Sequence, residues 1–569
     1  MTGNGSDSSG DIYVGDYGEI EVSNIRLQLA AGNESHMTVD GENASVLVRN
    51  GLVVGNAGNA NFTIREGTVT ATNLLFVDND FARGHVTIID KDSELVVHNE
   101  VNMGVNNNAR LDLYHNGKLN VNGTLFTNYA STINIFGGQL TSNNLFLEPD
   151  TSPINWQTGS IILNSDQAIY EGSTLDVLTY DDESTSSTSF NKLGVGKILF
   201  INGEFSMSKQ LTIDGGTLIV DQFDSHGGLP LLDLRKGSFG FYHTDTLGDN
   251  SPLGSHLMMN EDMKIIAGST LTNTGWIGGS GLITDQIPSN LPTNPTTSLF
   301  INEAVGVIHL DDDNHLFIDM DGAVNNGTIE IYDSRLTFDG SLLNYGDITG
   351  LNTYFRASSI DNYGEMNYAD TQHVIFGDIT NNIDGSITVT RDARLTIQDD
   401  FDNQSELRIS HDASVVIFGQ FSGTGSITGG GTTYIEGELT PGNSPGLINV
   451  DGDVVLSDNA TAQMELAGTT IGSEYDALDI NGDLTLDGIL EILLLDGFNP
   501  LLSQTFQLFS ATNFQGQFEQ LLLPNLTSNL DWDTTQLNSQ GVLRIIPEPT
   551  TALTLSALLC IFNKRRRMV

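Results

Sequence analysis

The chain has 569 residues, of which 72 are acidic and 23 are basic, so its formal net charge at pH 7 is −49. A polyanion of this strength repels phosphate, which excludes nucleic-acid binding through a basic groove. The single cysteine, Cys560, excludes a disulfide framework and a cysteine-based zinc site. With 38% hydrophobic residues, the chain has enough apolar side chains for a core and is not a disordered acidic polymer.

The N-terminal segment lacks the features of a secretory signal. No basic residue precedes Arg26, and no apolar stretch of roughly 7–15 residues lies before the first predicted strand, which begins at Asp11. Two interpretations follow. Either the protein stays in the cytoplasm, or its true start lies upstream of Met1.

Short segments of alternating apolar and polar residues then follow one another along the chain. They are rich in Val, Ile, Leu, Thr and Phe, and they are bounded by Gly, Asn and Asp. Period-two alternation between turn residues predicts strands with one buried face. Examples are Asn61–Arg65, Val86–Ile89, Arg110–Tyr114 and Leu211–Ile213.

These segments recur at a nearly constant spacing. A first series of turn residues has intervals of 26, 24 and 21 residues, at Gly67, Ser93, Gly117 and Gly138. A second series has intervals of 19, 18 and 21 residues, at Gly327, Gly346, Gly364 and Gly385. A period of about 20 residues made of strands alone indicates a β-solenoid in which each repeat is one coil. A row of β-sandwich domains is the alternative, and it is stronger for residues 441–545.

The predicted fold class is all-β, a parallel β-helix (β-solenoid) with an irregular β C-terminal cap and a short C-terminal hydrophobic helix. Stacked coils bury their inward Val, Ile, Leu and Phe side chains, while Gly, Asn and Asp occupy the corners. Outward positions carry Thr, Asn, Asp and Ser. The predicted segments are β-helix repeats at 1–284, a linker or lateral loop at 285–300, further repeats at 301–440, the cap at 441–545 and a sorting signal at 546–569.

Residues 419–545 contain two characteristic phrases, LTPGNSPG at 439–446 and YDALDINGDLTLDG at 475–488. This region resembles the end of autotransporter-like passenger domains and the region that precedes PEP-CTERM tails. The resemblance implies an exported β-helix that is generally not established as an enzyme. A terminal cap is also needed on physical grounds, because the last coil would otherwise expose a strand edge.

Three features stand in a fixed order at the C-terminus. They are Pro547, Glu548 and Pro549, then an uncharged apolar stretch at 550–562, and then the basic cluster Lys564, Arg565, Arg566 and Arg567. The order resembles the PEP-CTERM sorting signal of bacterial exported proteins. That resemblance implies processing by an exosortase-type enzyme, a membrane-embedded helix before processing, and a destination in the cell envelope, at the cell surface or in the extracellular matrix. An amphipathic last helix with a basic end is the alternative interpretation.

Three acidic segments are candidate cation sites. Residues 311–314, 319–322 and 479–483 offer oxygen ligands, but none of them meets the EF-hand loop pattern. We interpret them as turns and solvated faces. Loosely shared Ca²⁺ or Mg²⁺ is expected to screen the negative charge, because screening relieves self-repulsion. No specific metal site and no cofactor is predicted.

The best candidate for a catalytic surface consists of basic and acidic side chains in successive predicted coils. They are Arg335, Arg356, Arg391, Arg394, Arg408, Asp333, Asp392 and Asp399. Carbohydrate enzymes with a β-helix fold place such side chains on one outer face. Charge pairs on a solvated face explain the same pattern. Tyr and Phe residues between 332 and 376 could line a glycan groove, although the alternation places many of them in the core.

The sequence therefore predicts a non-enzymatic structural or adhesion protein without catalytic residues, exported and sorted through its C-terminal signal. Its expected partners are an exosortase-type enzyme, the membrane before processing, and an extracellular polysaccharide. A glycan-binding or polysaccharide-cleaving β-helix enzyme is the first alternative. A cytoplasmic protein whose tail resembles the signal by chance is the second.

Overall fold

The structure is a computed structural model, and it describes residues 10–27, 34–55, 58–76, 83–104, 109–127, 131–147, 154–169, 191–207, 210–224, 232–243, 245–249, 251–289, 291, 297–442, 445–527 and 529–548. The chain divides into two compact units. Unit 1 comprises Met1–Val307 and Leu316–Asp321, and unit 2 comprises Ile308–His315 and Gly322–Val569. The described residues form an all-β parallel β-solenoid of about 17 turns with nearly no helix, as the sequence predicts.

The strands of unit 1 vary widely in length. In chain order, β1 to β11 are Gly10–Val14, Glu19–Leu27, Glu34–Val54, Asn59–Leu75, Gly84–Ile89, Glu94–Asn102, Arg110–Tyr114, Lys118–Phe126, Thr132–Phe146, Ile154–Leu163 and Gln167–Ile169. Strands β12 to β22 are Asn191–Gly194, Lys197–Met207, Leu211–Asp224, Leu232–Phe241, Asp245–Leu247, His256–Met259, Met263–Ala267, Thr270–Asn273, Trp276–Gly279, Gly281–Thr284 and Leu299–Asn302.

The later strands are mostly short. Strands β23 to β38 are Val307–Leu310, His315–Asp319, Gly322–Asn325, Thr328–Tyr332, Arg335–Phe338, Ser341–Asn344, Asp347–Leu351, Tyr354–Asn362, Glu365–Ala369, Gln372–Asn381, Ser386–Thr390, Arg394–Ile397, Phe401–Asn403, Glu406–Ile409, Ser414–Ile417 and Phe421–Gly423. Strands β39 to β53 are Ser426–Thr428, Thr432–Ile435, Glu438–Pro441, Leu447–Val450, Asp453–Leu456, Thr461–Leu466, Ala477–Ile480, Asp483–Leu486, Ile489–Leu494, Thr505–Gln507, Phe509–Ser510, Asn513–Gly516, Gln520–Leu522, Leu530–Asp533 and Val542–Pro547.

The strand register of unit 1 confirms the first predicted repeat. Thr68 pairs with Glu94, Glu94 with Lys118 and Lys118 with Gln139, and all these pairings are parallel. The residues that precede these positions are the turn residues of the first predicted series, namely Gly67, Ser93, Gly117 and Gly138. One inward column of this register is fully buried and consists of Val69, Leu95, Leu119, Leu140, Ile161 and Leu199. Each such side chain contributes about 1.5–3 kcal/mol when it is buried.

In the coils of unit 1 before β16, the chain often changes direction at a bend within a long strand. Strand β3 has 21 residues, and its register with β4 shifts between Asp40 and Ala44 and again between Val48 and Gly51. Such irregularities bend a strand without ending its pairing. The chain therefore changes direction while most of its backbone groups remain hydrogen-bonded.

Unit 2 builds a coil from separate short strands. Strands β33, β34 and β35 form one coil and pair in parallel with β36, β37 and β38 of the next coil. Thr328 pairs with Asp347, Asp347 with Glu365 and Glu365 with Ser386, which confirms the second predicted repeat. The parallel pairing excludes the β-sandwich alternative for these coils, because sandwiches are built from antiparallel sheets.

A row of buried asparagines occupies one corner of unit 2. Each asparagine donates a hydrogen bond through Nδ2 to the Oδ1 of the next, over distances of 2.7, 2.8, 2.9 and 2.8 Å. The members of this asparagine ladder are Asn325, Asn344, Asn362, Asn381 and Asn403, and all are 0–1% exposed. Each inner side chain also donates to a backbone carbonyl, so the buried amides are satisfied.

The ladder ends where the corner has no room for a side chain. Asn403 occupies the position that Gly423 takes in the next coil, and a Cβ atom at Gly423 would lie 2.0 Å from the carbonyl oxygen of Asn403. The neighbouring corner glycines are equally constrained, since a Cβ at Gly364 would lie 2.2 Å from the carbonyl oxygen of Gly346. Close approach of stacked backbones therefore selects glycine here.

The C-terminal part of unit 2 differs in detail from the predicted cap. Parallel coils continue through 441–522, where β46 pairs with β50 and β47 with β51. Irregularity is confined to the three antiparallel strands β48, β52 and β53 and to a four-residue helix, α1, at Leu537–Gln540. Gly541, with φ at 69°, ends this helix. The predicted hydrophobic C-terminal helix lies outside the described residues.

Candidate functional site

A groove lies on the outer face of unit 1. Its volume is about 910 Å³, which lies within the range of roughly 300–1,000 Å³ that is typical of ligand sites. The groove crosses neighbouring coils built from β8, β9, β10 and β13. The sequence analysis did not predict it.

The strand register places two outward columns of side chains along the groove. Lys118, Gln139, Ser160 and Ile198 follow each other in one column. Asn120, Thr141 and Ile162 follow each other in the column two residues further along. Residues i and i+2 of a strand point to the same face. Both columns are therefore polar at one end and aliphatic at the other.

The corner at one side of the groove carries no side chains. Gly137, Gly138 and Gly159 line it. A Cβ at Gly138 would lie 2.5 Å from the Cβ of Leu113, and Gly159 has φ at 108°. Packing and backbone conformation both require glycine here, which leaves the peptide groups of this corner open to the groove.

Two lysines supply the positive charge of the groove. The described lining residues include Lys91 and Lys118 but no Asp or Glu. Neither lysine forms an ion pair with another described residue. Glu94, the register partner of Lys118, instead accepts a hydrogen bond from Nδ2 of Asn120. The described lining therefore carries positive charge alone, although Asp90 and Asp92 flank Lys91 in the sequence and Glu94 neighbours Lys118.

An apolar cluster on the same outer face forms the aliphatic end. Ile162, Phe200, Ile219 and Ile266 are at most 4% exposed, and Leu291 covers them from the segment that follows β21. Ile198, Tyr242 and Ile287 pack against this cluster. The chain leaves the sheet between Thr284 and Leu299, so part of the segment predicted as a linker or lateral loop packs on the solenoid.

The expectation of polar outward positions is wrong in these coils. Strands β10, β13, β14 and β18 have buried apolar residues on both faces, in the runs 161–163, 199–201, 218–220 and 265–267. An unbroken apolar run indicates a strand that is covered on both sides. This was the signal in the sequence that could have located the covered face.

A second polar cluster surrounds Asp112, which is 1% exposed. Its carboxylate accepts hydrogen bonds from Arg110 Nε at 2.8 and 2.9 Å and from Asn134 Nδ2 at 2.5 Å. Nε2 of His85 lies 2.8 Å away. Burial alone would raise the pKa of Asp112, but the hydrogen bonds from His85, Arg110 and Asn134 outweigh burial and lower it to about 2.

The Asp112 cluster does not have the geometry of a catalytic relay. The same ring nitrogen of His85 that faces Asp112 also faces the hydroxyl of Thr87, at 3.2 Å. A relay needs the acid on one ring nitrogen and the hydroxyl on the other. The cluster is therefore a buried polar anchor on the sheet.

Unit 2 contains a buried carboxyl group whose pKa is shifted in the opposite direction. Asp476, 1% exposed, accepts the backbone N–H groups of Gly446 at 2.6 Å and Glu465 at 2.8 Å. Burial raises the pKa of Asp476 to about 7, and the two hydrogen bonds lower it by less. Proton release from this group is therefore expected near neutral pH.

The structure does not gather the residues of the candidate catalytic surface. Arg335 and Arg394 are the first residues of β27 and β34, and Arg356 lies inside β30, so the three occupy different side-chain columns. Arg408 lies on β36, which belongs to a separate row of strands. Arg391 pairs with Asp370 at 3.1 Å, and Asp333 accepts Nδ2 of Asn352 at 2.8 Å. Asp399 accepts the backbone N–H of Gly377 at 2.7 Å. Asp392 is exposed in a turn with φ at 57°.

The aromatic residues between 332 and 376 divide into three groups. Phe338, Phe355 and Tyr368 are buried. Tyr345 and Tyr363 are 52% and 36% exposed, and their rings stack with centroids 5.0 Å apart. Half-buried positions are taken by Tyr332, Tyr354 and Phe376. The last two groups could meet a ligand.

The acidic segments lie partly in turns and partly on strands, since Asp319, Asp479 and Asp483 belong to β24, β45 and β46. Asp312 and Asp313 have positive φ angles, of 54° and 64°. Asp319 accepts the hydroxyl of Thr284, and Asp483 accepts Nδ2 of Asn513. Across the described ranges, no group of three or more His, Cys, Asp or Glu side chains is arranged to hold a metal ion.

The predicted sorting motif lies only partly within the described residues. Pro547 ends β53 and pairs with Leu530, and the N–H of Glu548 donates to the carbonyl oxygen of Asn529. Pro549, Lys564, Arg565, Arg566 and Arg567 lie outside the described residues. In the part of the chain that the structure covers, no helix has the length and apolar character needed to cross a membrane.

The chain shows similarity to a solved protein structure. No family model matches the chain, and no curated protein matches it. A solved structure of the Haemophilus influenzae Hap adhesin is similar over 92% of this chain and 64% of that chain, at 11% sequence identity and a TM-score of 0.36. The chain thus spans less than two thirds of the length of that adhesin chain.

Proposed function

We propose that this protein is an exported, non-enzymatic structural and adhesion protein of the cell surface or extracellular matrix. The observation that carries the proposal is the stacking of coils in parallel register within each unit, because a regular stack displays rows of outward side chains, many of them polar. Each inner coil is hydrogen-bonded on both sides, and the asparagine ladder fixes its corner. An extracellular polysaccharide is the proposed partner of this outer face.

Sorting is the second part of the proposal. The resemblance of Pro547, Glu548, Pro549 and the basic cluster at 564–567 to the PEP-CTERM signal supports recognition by an exosortase-type enzyme. The apolar stretch at 550–562 would anchor the chain in the membrane until it is processed. Loosely bound Ca²⁺ would screen the acidic outer face after export.

The test is localisation of the full-length product, expressed with its upstream sequence in a bacterium that carries an exosortase-type enzyme. We expect the protein in the surface or matrix fraction, with a C-terminus shortened near residue 547 by mass spectrometry. Replacement of Pro547, Glu548 and Pro549 by alanine should leave the full-length chain in the membrane fraction. The matched control is Arg544→Gln, an exposed basic residue just before the motif. Unchanged processing of the alanine variant, or a soluble intracellular product with an intact tail, would contradict the proposal.

A polysaccharide-cleaving enzyme is the second candidate, and the volume and polar lining of the groove favour it. It predicts chain shortening or new unsaturated ends when the protein is incubated with acidic polysaccharides. That turnover should be lost in Arg394→Gln or Asp392→Asn if the sequence-predicted surface is catalytic. Turnover retained in both variants would show that the reaction does not take place at that surface. If the unmodified protein shows no turnover, the enzyme hypothesis is wrong.

A further inference from the structure

We propose that the groove of unit 1 binds a segment of an acidic polysaccharide, with the sugar carboxylates at Lys91 and Lys118. The inference rests on the proposed function only for the location, outside the cell, at which the protein encounters such a polymer. The binding itself depends on the groove alone. Its argument has three parts, namely the charge of the lining, its hydrogen-bonding groups and its aliphatic end.

The charge of the lining selects an anion. Acidic residues outnumber basic ones 72 to 23 in the chain, whereas the described lining of the groove has two lysines and no carboxylate. Charged side chains farther away than about 10 Å are largely screened at 0.1 M salt. Within that distance Glu94 lies one strand from Lys118, but its carboxylate accepts a hydrogen bond from Asn120 and does not line the groove. An anionic ligand inside the groove therefore meets two lysines and no carboxylate of the described lining.

The remaining polar groups suit a ligand rich in hydroxyl groups. Asn120, Gln139 and Thr141 stand on adjacent rungs and line the groove with amide and hydroxyl groups. Nδ2 of Asn120 donates to Glu94, and Nε2 of Gln139 donates to the hydroxyl of Thr141 at 3.2 Å, so these contacts hold the side chains in place. Such groups both donate and accept hydrogen bonds, as sugar hydroxyls do. A single phosphate or sulfate ion would use the lysines and leave this row unused. The lining positions from Asn120 to Ser160 extend over three rungs, which are two strand spacings or about 10 Å apart, and this length corresponds to about two linked sugar units.

The aliphatic end provides the third contact. Ile162, Ile198 and Leu291 close the groove beyond Ser160, and the apolar cluster beneath them holds their positions. The C–H faces of sugar rings are apolar and pack against such side chains. Since strands carry most of the lining, the site is preformed, which reduces the entropic cost of binding.

The experiment is a calorimetric titration of the purified full-length protein with a hexamer of galacturonic acid at 0.1 M salt. The comparison ligand is the same hexamer with methyl-esterified carboxylates. We expect the acid to bind and the double variant Lys91→Gln/Lys118→Gln to bind it at least about a hundredfold more weakly, because it loses two charge-assisted hydrogen bonds to carboxylates. The ester should bind weakly and equally to both proteins.

Two controls keep the test decisive. Lys236→Gln changes an exposed lysine of unit 1 that is paired with Asp214 and lies outside the groove, and it should bind the acid within about twofold of the unmodified protein. Gln139→Ala should weaken binding of both the acid and the ester, because it removes a neutral contact. Thermal unfolding of each variant checks that the fold is intact.

The inference is overturned if the double variant binds like the unmodified protein, if the ester binds as tightly as the acid, or if Lys236→Gln loses as much affinity as the double variant. Free sulfate competing at the same affinity as the hexamer would show a simple anion site and would also overturn it. Binding by a protein that is found inside the cell would refute the proposed function alone. Surface localisation without binding would refute this inference alone.

Discussion

The coils of unit 1 before β16 and most coils of unit 2 solve the same problem, the corner of a stacked coil, in different ways. The coils before β16 bend long strands such as β3 at register shifts and place a buried charge, Asp112, on the outer side of the sheet. Most coils of unit 2 use separate short strands and fill one corner with the asparagine ladder. The short-stranded end of unit 1 uses the same device, since Asn273 donates to Asn302 over 2.8 Å. The difference shows that a solenoid can be stabilised by continuous backbone pairing or by a column of side-chain hydrogen bonds. The second route concentrates stability in a few residues.

The ladder is the place where a single substitution should have the largest effect. Asn362→Ala removes the acceptor of Asn344 and the donor to Asn381 and Ser386, all within a buried corner. We expect a loss of about 2–4 kcal/mol, since buried partners are left unsatisfied. Hydrogen exchange of the coils at 344–403 would measure it.

The control for the ladder is its neighbour in sequence. Asn382→Ala changes a half-buried asparagine whose side chain makes only a long hydrogen bond of 3.4 Å to the carbonyl oxygen of Thr380. It should cost less than about 0.5 kcal/mol. Equal effects of the two substitutions would mean that the ladder is not what fixes the corner.

The polar anchor of unit 1 should be the next most sensitive site. Asp112→Asn places an amide N–H₂ among the donors Arg110, His85 and Asn134. A loss of about 1–3 kcal/mol is expected. Asp233→Asn is the control, because Asp233 pairs with an exposed Arg235 at 2.7 Å and such pairs contribute about 0–1 kcal/mol. Denaturant unfolding of the two variants, compared with the parent, decides whether burial makes the difference.

Two buried carboxyl groups, Asp112 of unit 1 and Asp476 of unit 2, should respond to pH in opposite directions. The pKa of Asp112 is lowered to about 2, so its contribution is complete above the ordinary Asp value near 4 and is lost as the pH falls from about 4 to 2. The pKa of Asp476 is raised to about 7. The folded state therefore binds this proton more tightly than the unfolded chain does, and stability falls as the pH rises from about 4 to 7.

Hydrogen exchange at pH 5 and pH 8, corrected for the intrinsic rate, measures this contrast. Peptides around Glu465 and Asp476 should be better protected at pH 5, whereas peptides around Asp112 should be equally protected at both values. Asp476→Asn should remove the difference in unit 2. A uniform response of both regions would contradict the assignment of the two carboxyl groups.

The smallest expected effect belongs to the exposed aromatic pair of unit 2. Tyr363→Ala removes the stacking partner of Tyr345, and such a pair contributes about 0.5–1.5 kcal/mol. Ile383→Ala, at a side chain that is 79% exposed, should have no measurable effect on the unfolding midpoint. A larger loss for Tyr363→Ala than for Asn362→Ala would reverse the order of stabilising features.

The sequence predicted the stacking of coils well because the corners repeat. The spacing of Gly346 and Gly364 follows from backbone contact between adjacent coils, and that contact depends on local residue type. The ladder was not predicted, although Asn344 and Asn362 directly precede the tyrosine–glycine pairs in the aligned turns. Burial of an asparagine side chain depends on the presence of its neighbours above and below, which a single turn does not reveal.

The groove could not be predicted for a related reason. Lys91 and Lys118 lie in different coils, and Leu291 is more than 170 residues beyond Lys118. Their proximity follows from the strand register and from the packing of the segment after β21 against the apolar cluster. The unbroken apolar runs at 161–163 and 199–201 were the only local signal of a covered outer face.

The most direct test of the account is a disulfide scan of the coil register. Cys560 is the only native cysteine, so pairs introduced into a Cys560→Ser background report only on themselves. Thr349 pairs with Asn367 in the next coil, and adjacent strands are about 4.8 Å apart, within the range for a disulfide. Ala369, two residues further, is displaced by about 6.7 Å along the strand. The account predicts rapid oxidation of Thr349→Cys/Asn367→Cys and none of Thr349→Cys/Ala369→Cys. Equal oxidation of both pairs, or oxidation of the displaced pair alone, would contradict the stacked parallel solenoid.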